Sequence, residues 1–249
     1  MVLTMTHLFE ASNVRCSIMV DGERRTIFSG LSFDIDAGEI VDLVGPSGVG
    51  KSSLLTAFAR LNPRADGEYR LSGRSVDDFT PQQWRAQVAY LPQNPVLLGE
   101  TVAQAIRLPF TLAVRQPSKS GPRKTSSNDV LPDSRIRKTL DDMGCGDVDL
   151  DRPPHDLSGG QAARVSLART LLTNPKVLLA DEVDAGLDDE NAEKVASILA
   201  KAAADGMAIV RIRHRQPDGR ASRIMRLSDG TLTQVKTNAG NDDSEGSVA

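Results

Sequence analysis

The chain has 249 residues, with 30 Lys plus Arg against 33 Asp plus Glu and a net charge of −3. That length can bury a substantial core in one large or two small domains, and the charge balance gives no reason to expect a nucleic-acid partner. Cys16 and Cys145 lack metal or redox spacing, as expected of reduced thiols in a cytosolic protein; residues 1–13 lack the basic start and apolar core of a secretory signal, and no run approaches the ~20 residues of a membrane helix.

Residues 8–43 alternate apolar and polar segments around turn signals at Asp21-Gly22 and Ala37-Gly38. LFEASNV and TIFSGLSFDI read as antiparallel strands. They lead to Ile40–Val44, an apolar run of the kind buried on both faces of a parallel sheet. Gly45-Pro-Ser-Gly-Val-Gly-Lys51-Ser52 then meets every fixed position of G-x-x-x-x-G-K-[ST], with a helix-compatible run from Ser53 to Leu61 behind it. A glycine-rich turn with a chance lysine would not also supply the strand before and the helix after. Gly45, Gly48 and Gly50 let successive N–H groups aim at phosphate oxygens, and the positive end of the helix adds attraction. Lys51 is expected to reach the β- and γ-phosphates, and the Ser52 hydroxyl to ligate Mg2+. The expected nucleoside triphosphate site is therefore Gly45, Pro46, Ser47, Gly48, Val49, Gly50, Lys51, Ser52 and Ser53.

GEYRLSG reads as a short strand with a turn, and PQQWRAQVAYLPQNP as a helical piece followed by a buried strand, Val88 to Leu91. From Gly99 the pattern is helical until Pro109 interrupts it. Val114 to Ser134 is rich in Ser, Pro, Lys and Gly and reads as a long mobile loop whose Arg115, Lys119, Arg123 and Lys124 are solvated. SRIRKTLDDMG is a helix ending at Gly144, and Val165 to Leu172 belongs to a packed helix closed by Asn174-Pro175. Val177 to Ala180 is a buried strand ending in Asp181-Glu182. An amphipathic helix, a strand AIVRIRHR, a terminal hairpin and a polar, disordered tail from about Lys236 complete the chain.

The phosphate loop, Gln93, Leu157-Ser-Gly-Gly-Gln161, Val177-Leu-Leu-Ala-Asp-Glu182, Ala185-Gly-Leu-Asp188 and His214 stand in the order that resembles ATP-binding cassette (ABC) ATPases, over roughly residues 8–235. The resemblance implies an α/β fold of the P-loop NTPase type: a RecA-like core, an antiparallel β subdomain and an inserted helical subdomain at about 94–165, in one domain over 1–235. It implies that Asp181 helps Ser52 and Gln93 hold Mg2+, that Glu182 orients or deprotonates the attacking water, and that His214 contacts the γ-phosphate. Ser158, Gly159, Gly160 and Gln161 would meet an ATP held by the phosphate loop of a second chain, a homodimer mate or a related ATPase subunit, with Asp188 at the same boundary.

Three departures stand out. Ile18 occupies the position where the family usually stacks an aromatic ring on adenine, Arg215 follows His214 where an acidic residue is common, and the 114–134 loop is long. The LLGETV segment and the LPF stop resemble ATPase subunits of bacterial metal (iron) exporters that work with a separate membrane permease. Another exporter, or a phosphate or amino-acid importer, is also compatible. The function implied is an ATPase at the cytoplasmic face of the membrane, driving that permease; the alternative is a soluble, non-transport cassette protein switched by ATP.

Overall fold

The computed structural model describes residues 7–115 and 131–235. An antiparallel sheet comprises β1 (Phe9–Val20), β2 (Glu23–Ile35), β4 (Ala65–Leu71) and β5 (Arg74–Ser75), in the order β2-β1-β4-β5. A second sheet comprises β3 (Ile40–Val44), β6 (Val88–Leu91), β7 (Val177–Asp181), β8 (Ala208–Ile212), β9 (Arg223–Ser228) and β10 (Thr231–Val235). Its order is β10-β9-β3-β8-β7-β6, parallel throughout except for the β9/β10 hairpin.

Period-two alternation along the parallel strands divides their side chains between two cores. Val41, Leu43, Val177, Leu179 and Val210 face a core shared with the antiparallel sheet, α1 (Lys51–Phe58) and α2 (Pro81–Gln87). Ile40, Leu178, Ala180 and Ile209 face a second core with α3 (Val102–Arg107), α4 (Asp133–Asp142), α5 (Gly159–Leu172) and α6 (Asp189–Ala204). Covering both faces is why these strands read as continuous apolar runs. In the first core Phe9, Phe58 and Trp84 pack with ring centroids 5.3 and 6.1 Å from Phe9, and the Trp84 indole donates to Phe58 O at 2.9 Å. The buried indole thus has its partner.

Several expected boundaries move, each for a local reason. The first helix ends at Phe58 rather than Leu61, because Arg60 turns into the left-handed region at φ 54°. Helix α3 starts at Val102, where the Thr101 hydroxyl accepts from Gln104 N at 3.2 Å. At its other end α3 stops at Arg107, ahead of Pro109, which sits at the start of a 3-10 turn over Leu108–Thr111, where a missing N–H costs little. The strand expected to run to Arg215 stops at Ile212, the last residue paired with β7.

The expected 114–134 loop is shorter at both ends: Val114 and Arg115 belong to a 3-10 turn, and Asp133 and Ser134 begin α4. Arg115 is no solvated loop cation. Its guanidinium donates to Thr173 O and Ala86 O, both at 3.0 Å, tying α2 to the end of α5. Residues 116–130, with Lys119, Arg123 and Lys124, and the expected tail from Lys236 lie outside the described residues. The subdomain boundary expected near 165 falls inside α5, which runs unbroken from Gly159.

Candidate functional site

The phosphate loop leaves the end of β3 and turns into α1 at an exposed edge. Gly45 has φ 150° and its backbone passes so close to Leu227 that an added Cβ would lie 2.2 Å from the Leu227 carbonyl oxygen; at Gly50, φ 106°, it would lie 2.5 Å from Ile27 Cγ2. Only glycine fits these two positions. Pro46, Ser47 and Gly48 are exposed while β2 and β9 lie close behind Gly50 and Gly45. Lys51 is 6% exposed, and its ammonium donates to Gly45 O and Pro46 O, both at 2.9 Å. Among the described residues no carboxylate holds it, which leaves its charge for phosphate. Ser52 is exposed in the first turn of α1, beside half-buried Ser53.

Where β7 ends, Asp181 is 4% exposed and Glu182 takes φ 53°. A non-glycine residue in the left-handed region carries about 1–3 kcal/mol of strain and persists only where its surroundings hold it. Here Glu182 N donates to Ile212 O at 3.2 Å and Ala185 N donates to Glu182 O at 3.0 Å. The turn sends the carboxylate toward two other expected site residues: Gln93 Nε2 donates to Oε2 and His214 Nε2 stands against Oε1, each at 2.9 Å. Gln93, Glu182 and His214, from three separate loops, are therefore joined. Asp181 accepts a hydrogen bond at Oδ2 from the Tyr90 hydroxyl at 2.8 Å. Burial, followed by the hydrogen bond to Asp181 and then its charge, pushes the Tyr90 phenol well above its ordinary range, so it remains a donor.

Ser158 caps α5, and Gly159 and Gly160 form its first turn. Ser158 and Gln161 make a reciprocal capping box: Gln161 N donates to the Ser158 hydroxyl at 3.2 Å and Ser158 N donates to Gln161 Oε1 at 3.0 Å. Gln161 Nε2 also donates to Asp147 at 2.9 Å. Asp188 caps α6, accepting from Asn191 N at 2.8 Å and Asn191 Nδ2 at 2.7 Å, bonds that lower its carboxyl pKa. Among the described residues, no hydrogen bond joins Ser158–Gln161 or Asp188 to the chain's own phosphate loop. Ile18 lies on β1 opposite Arg25. It lines a cavity of about 620 Å³ with Met19, Arg24 and Arg64, and no phosphate-loop residue shares that lining.

Apart from Arg215, sequence reasoning missed the charged residues behind these loops. Arg164, 8% exposed, donates to Gly160 O at 3.2 Å and Gly144 O at 3.1 Å and reaches Asn191, joining the start of α5 to the cap of α6. Arg213 donates to Asp184 at 2.9 Å, and Arg215 donates to Asp189 at 2.7 Å and to Leu187 O. The departure at Arg215 thus fastens the loop carrying His214 to the loop carrying Asp188. Deeper still, Asp42 on β3 lies directly opposite Arg211 on β8, and Arg211 Nε donates to it at 2.8 Å. Arg211 also grips Asp218 with two bonds of 2.9 and 3.1 Å. Arg213 Nη1 sits 2.8 Å from Asp218 Oδ2 without the direction of a hydrogen bond, held by charge. Burial raises the Asp42 carboxyl against the pull of Arg211. Burial also works to raise Asp218, but Arg211 and the Arg220 N–H override it and hold the carboxyl at about 2. A charged residue inside an otherwise apolar strand was the one available signal.

The donors suit the expected groups. A backbone cradle that admits no Cβ at Gly45 and Gly50, and a lysine held by two carbonyls, match a polyphosphate. Among the described residues, no three His, Cys, Asp or Glu side chains converge into a metal cage. A hydroxyl at Ser52 and a carboxylate at Asp181 are hard oxygen donors, the pattern of Mg2+, which shares its shell with phosphates and water.

The profile of the family described as ABC transporter matches residues 28–185. An uncharacterized ABC transporter ATP-binding protein of Methanocaldococcus jannaschii is 34% identical over 235 residues, covering 92% of this chain and 99% of its own. The macrolide export ATP-binding/permease protein MacB of Salmonella choleraesuis is 34% identical over 234 residues; the match covers 92% of this chain and 34% of MacB, so the chain spans about a third of that relative. In Escherichia coli K12, the "Probable iron export ATP-binding protein FetA" is 35% identical over 169 residues, 68% of this chain and 69% of FetA. Among solved structures, the dimeric ATP-binding cassette MJ0796 in a post-hydrolysis state with ADP and Pi is similar in fold, with TM-score 0.73 at 24% identity over 92% of this chain and 99% of that one. With the profile covering more than half of the sequence and one relative aligned nearly end to end, this chain belongs to the ABC transporter family as an ATP-binding protein.

Proposed function

We propose that two copies of this chain, or one copy and a related subunit, close head to tail over ATP and drive a separate membrane permease, with metal (iron) export as the transported class. The observation that carries the catalytic part is the Glu182 carboxylate held between Gln93 and His214 at 2.9 Å each. Two of its roughly four lone-pair sites are used, which fixes the carboxylate plane and leaves sites to accept a proton from water. Lys51 and the loop N–H groups would bind the β- and γ-phosphates, with Pro46, Ser47, Val49 and Ser53 shaping the cradle around them. Mg2+, held by Ser52, Asp181 and Gln93, would neutralise charge on the transferred phosphoryl group. His214 would turn from Glu182 toward the γ-phosphate.

The start of α5 supports the two-chain arrangement. Its hydrogen bonds go to its own helix and Asp147, leaving Gly159 and Gly160 N–H groups in the first turn of a fourteen-residue helix for a partner's ATP. Ile18 would rest against adenine. No helix among the described residues is long and apolar enough to cross a membrane. The chain would work peripherally at the cytoplasmic face, offering exposed Val96, Leu98, Leu108 and Leu112, which follow Gln93 in the chain, to the permease. The FetA relative supports iron as cargo.

The test is Glu182→Gln. It is expected to keep ATP binding, lose turnover and elute as an ATP-dependent dimer; normal turnover would remove Glu182 from its role. Recovery of the wild-type chain from detergent extracts with an integral membrane protein supports the transport part, and recovery with soluble partners alone contradicts it.

A further inference from the structure

β8 ends at Ile212, the last residue paired with β7, so His214 lies two residues outside the ladder. Its side chain is 52% exposed, and its hydrogen-bond partner among the described residues is Glu182. An imidazole so little buried is placed by whatever holds its neighbours in the chain. Both neighbours are arginines, and both reach the turn that Glu182 opens. That turn is one hydrogen-bonded piece: Ala185 N donates to Glu182 O at 3.0 Å and Leu187 N to Asp184 O at 3.4 Å. Arg213 Nε donates to Asp184 Oδ2 at 2.9 Å in a nearly buried pair. Arg215 spreads its two terminal nitrogens over the far end of the turn, Nη1 donating to Asp189 at 2.7 Å and Nη2 to Leu187 O. The Asp189 side chain is 99% exposed, where solvent and salt leave an ion pair worth little. The carbonyl of buried Leu187 is therefore the acceptor that gives Arg215 its hold.

We infer that Arg215 is a positioning residue for His214, closing with Arg213 a two-point clamp that presents the imidazole to the Glu182 carboxylate. With the chain tied to one turn on either side of it, His214 keeps its side-chain torsions, and those bring Nε2 to 2.9 Å from Glu182. A planar guanidinium suits two acceptors at a fixed separation, whereas a lysine ammonium is a single point charge on a flexible stem. The inference rests on the catalytic reading of Glu182 and His214 given above, and adds to it a residue that touches neither nucleotide nor water.

The test uses steady-state ATPase kinetics on the full chain. Arg215→Ala is expected to lower kcat roughly 10- to 100-fold, the penalty of a catalytic group displaced by up to about an ångström. ATP affinity is expected to stay at the wild-type value, since the bonds of Arg215 go to Asp189 and Leu187 and not to the phosphate loop. Arg215→Lys keeps the charge without the fork and is expected to restore only a small part of the rate. In a His214→Ala background, Arg215→Ala should cost less than about twofold, the margin within which independent changes add. A second readout needs no turnover. Of the three histidines, the ring lost from the spectrum in His214→Ala is expected to shift its 15N resonances in Arg215→Ala, in the direction seen in Glu182→Gln, while His7 and His155 stay in place. Arg215→Met, which keeps the apolar stem, replaces the alanine variant if that one does not fold. Wild-type kcat in Arg215→Ala, an equal loss in both backgrounds, full rescue by lysine or an unmoved His214 resonance overturns the inference. So does a loss of ATP affinity that matches the loss of kcat, which would make Arg215 a nucleotide contact. If His214→Ala by itself turns over at the wild-type rate, the catalytic reading of His214 falls and takes the inference with it. An impaired His214→Ala beside an unimpaired Arg215→Ala fells the inference alone.

Discussion

Replacing Arg211 with Met should destabilise the fold more than any change at the exposed loops. Arg211 is 2% exposed and makes three charged hydrogen bonds, one to Asp42 and two to Asp218. Asp218 would keep the Arg220 N–H at 3.1 Å and the nearby Arg213. Asp42, 4% exposed in the middle of β3, would lose its one hydrogen-bond partner among the described residues. Stranding a buried charge costs about 3–5 kcal/mol, which for a domain of this size is roughly 6–20 °C in Tm. The dependence on pH has a definite sign. The Asp42 carboxyl is already raised by burial, and losing Arg211 raises it further. A group raised in the folded state contributes stability at low pH and loses it as pH climbs through its folded value. The deficit of Arg211→Met should therefore be larger at pH 8 than at pH 5. Asp218, held at about 2, behaves oppositely: its contribution in the wild type is present above ~4 and is lost as pH falls toward 2. Calorimetry across that range checks both, and Asp42→Val combined with Arg211→Met should recover much of the loss by removing the stranded charge. An Arg211→Met protein within about 1 kcal/mol of wild type, or a deficit flat from pH 5 to 8, refutes the reasoning, since both fall outside the stranded-charge expectation.

Lys51→Ala removes the one buried cation at the loop and should weaken ATP binding roughly 10- to 100-fold, the value of a charged hydrogen bond, in a fluorescent-nucleotide titration; unchanged affinity would place the phosphates elsewhere. If the proposed Ile18 contact replaces an aromatic ring, adenine would forgo about 1 kcal/mol of stacking. GTP and ATP should then be hydrolysed at comparable rates, and a GTPase rate about tenfold below the ATPase rate would count against this. Ile18→Tyr should tighten ATP binding roughly fivefold by the same stacking gain, and no gain in calorimetric titration would move the base away from β1.

What residues 8–235 disclosed by themselves was local in origin. A phosphate loop is eight consecutive residues whose types follow from backbone geometry and charge, and a strand covered on both faces announces itself by apolar continuity. The reciprocal cap of Ser158 and Gln161 is likewise local, made by residues three apart in the chain. Tertiary structure decided the rest. That Asp42 answers Arg211, 169 positions away, depends on β3 lying beside β8, and strand order leaves no trace in periodicity. Arg115 read as a solvated loop cation because its partners, two backbone carbonyls on other elements, have no sequence signature. Likewise Tyr90 passed for an ordinary strand residue until β6 and β7 were paired and its hydroxyl met Asp181. Chemistry carried by neighbouring residues is written in their order; chemistry made by distant ones exists only after the chain has chosen which strands lie side by side.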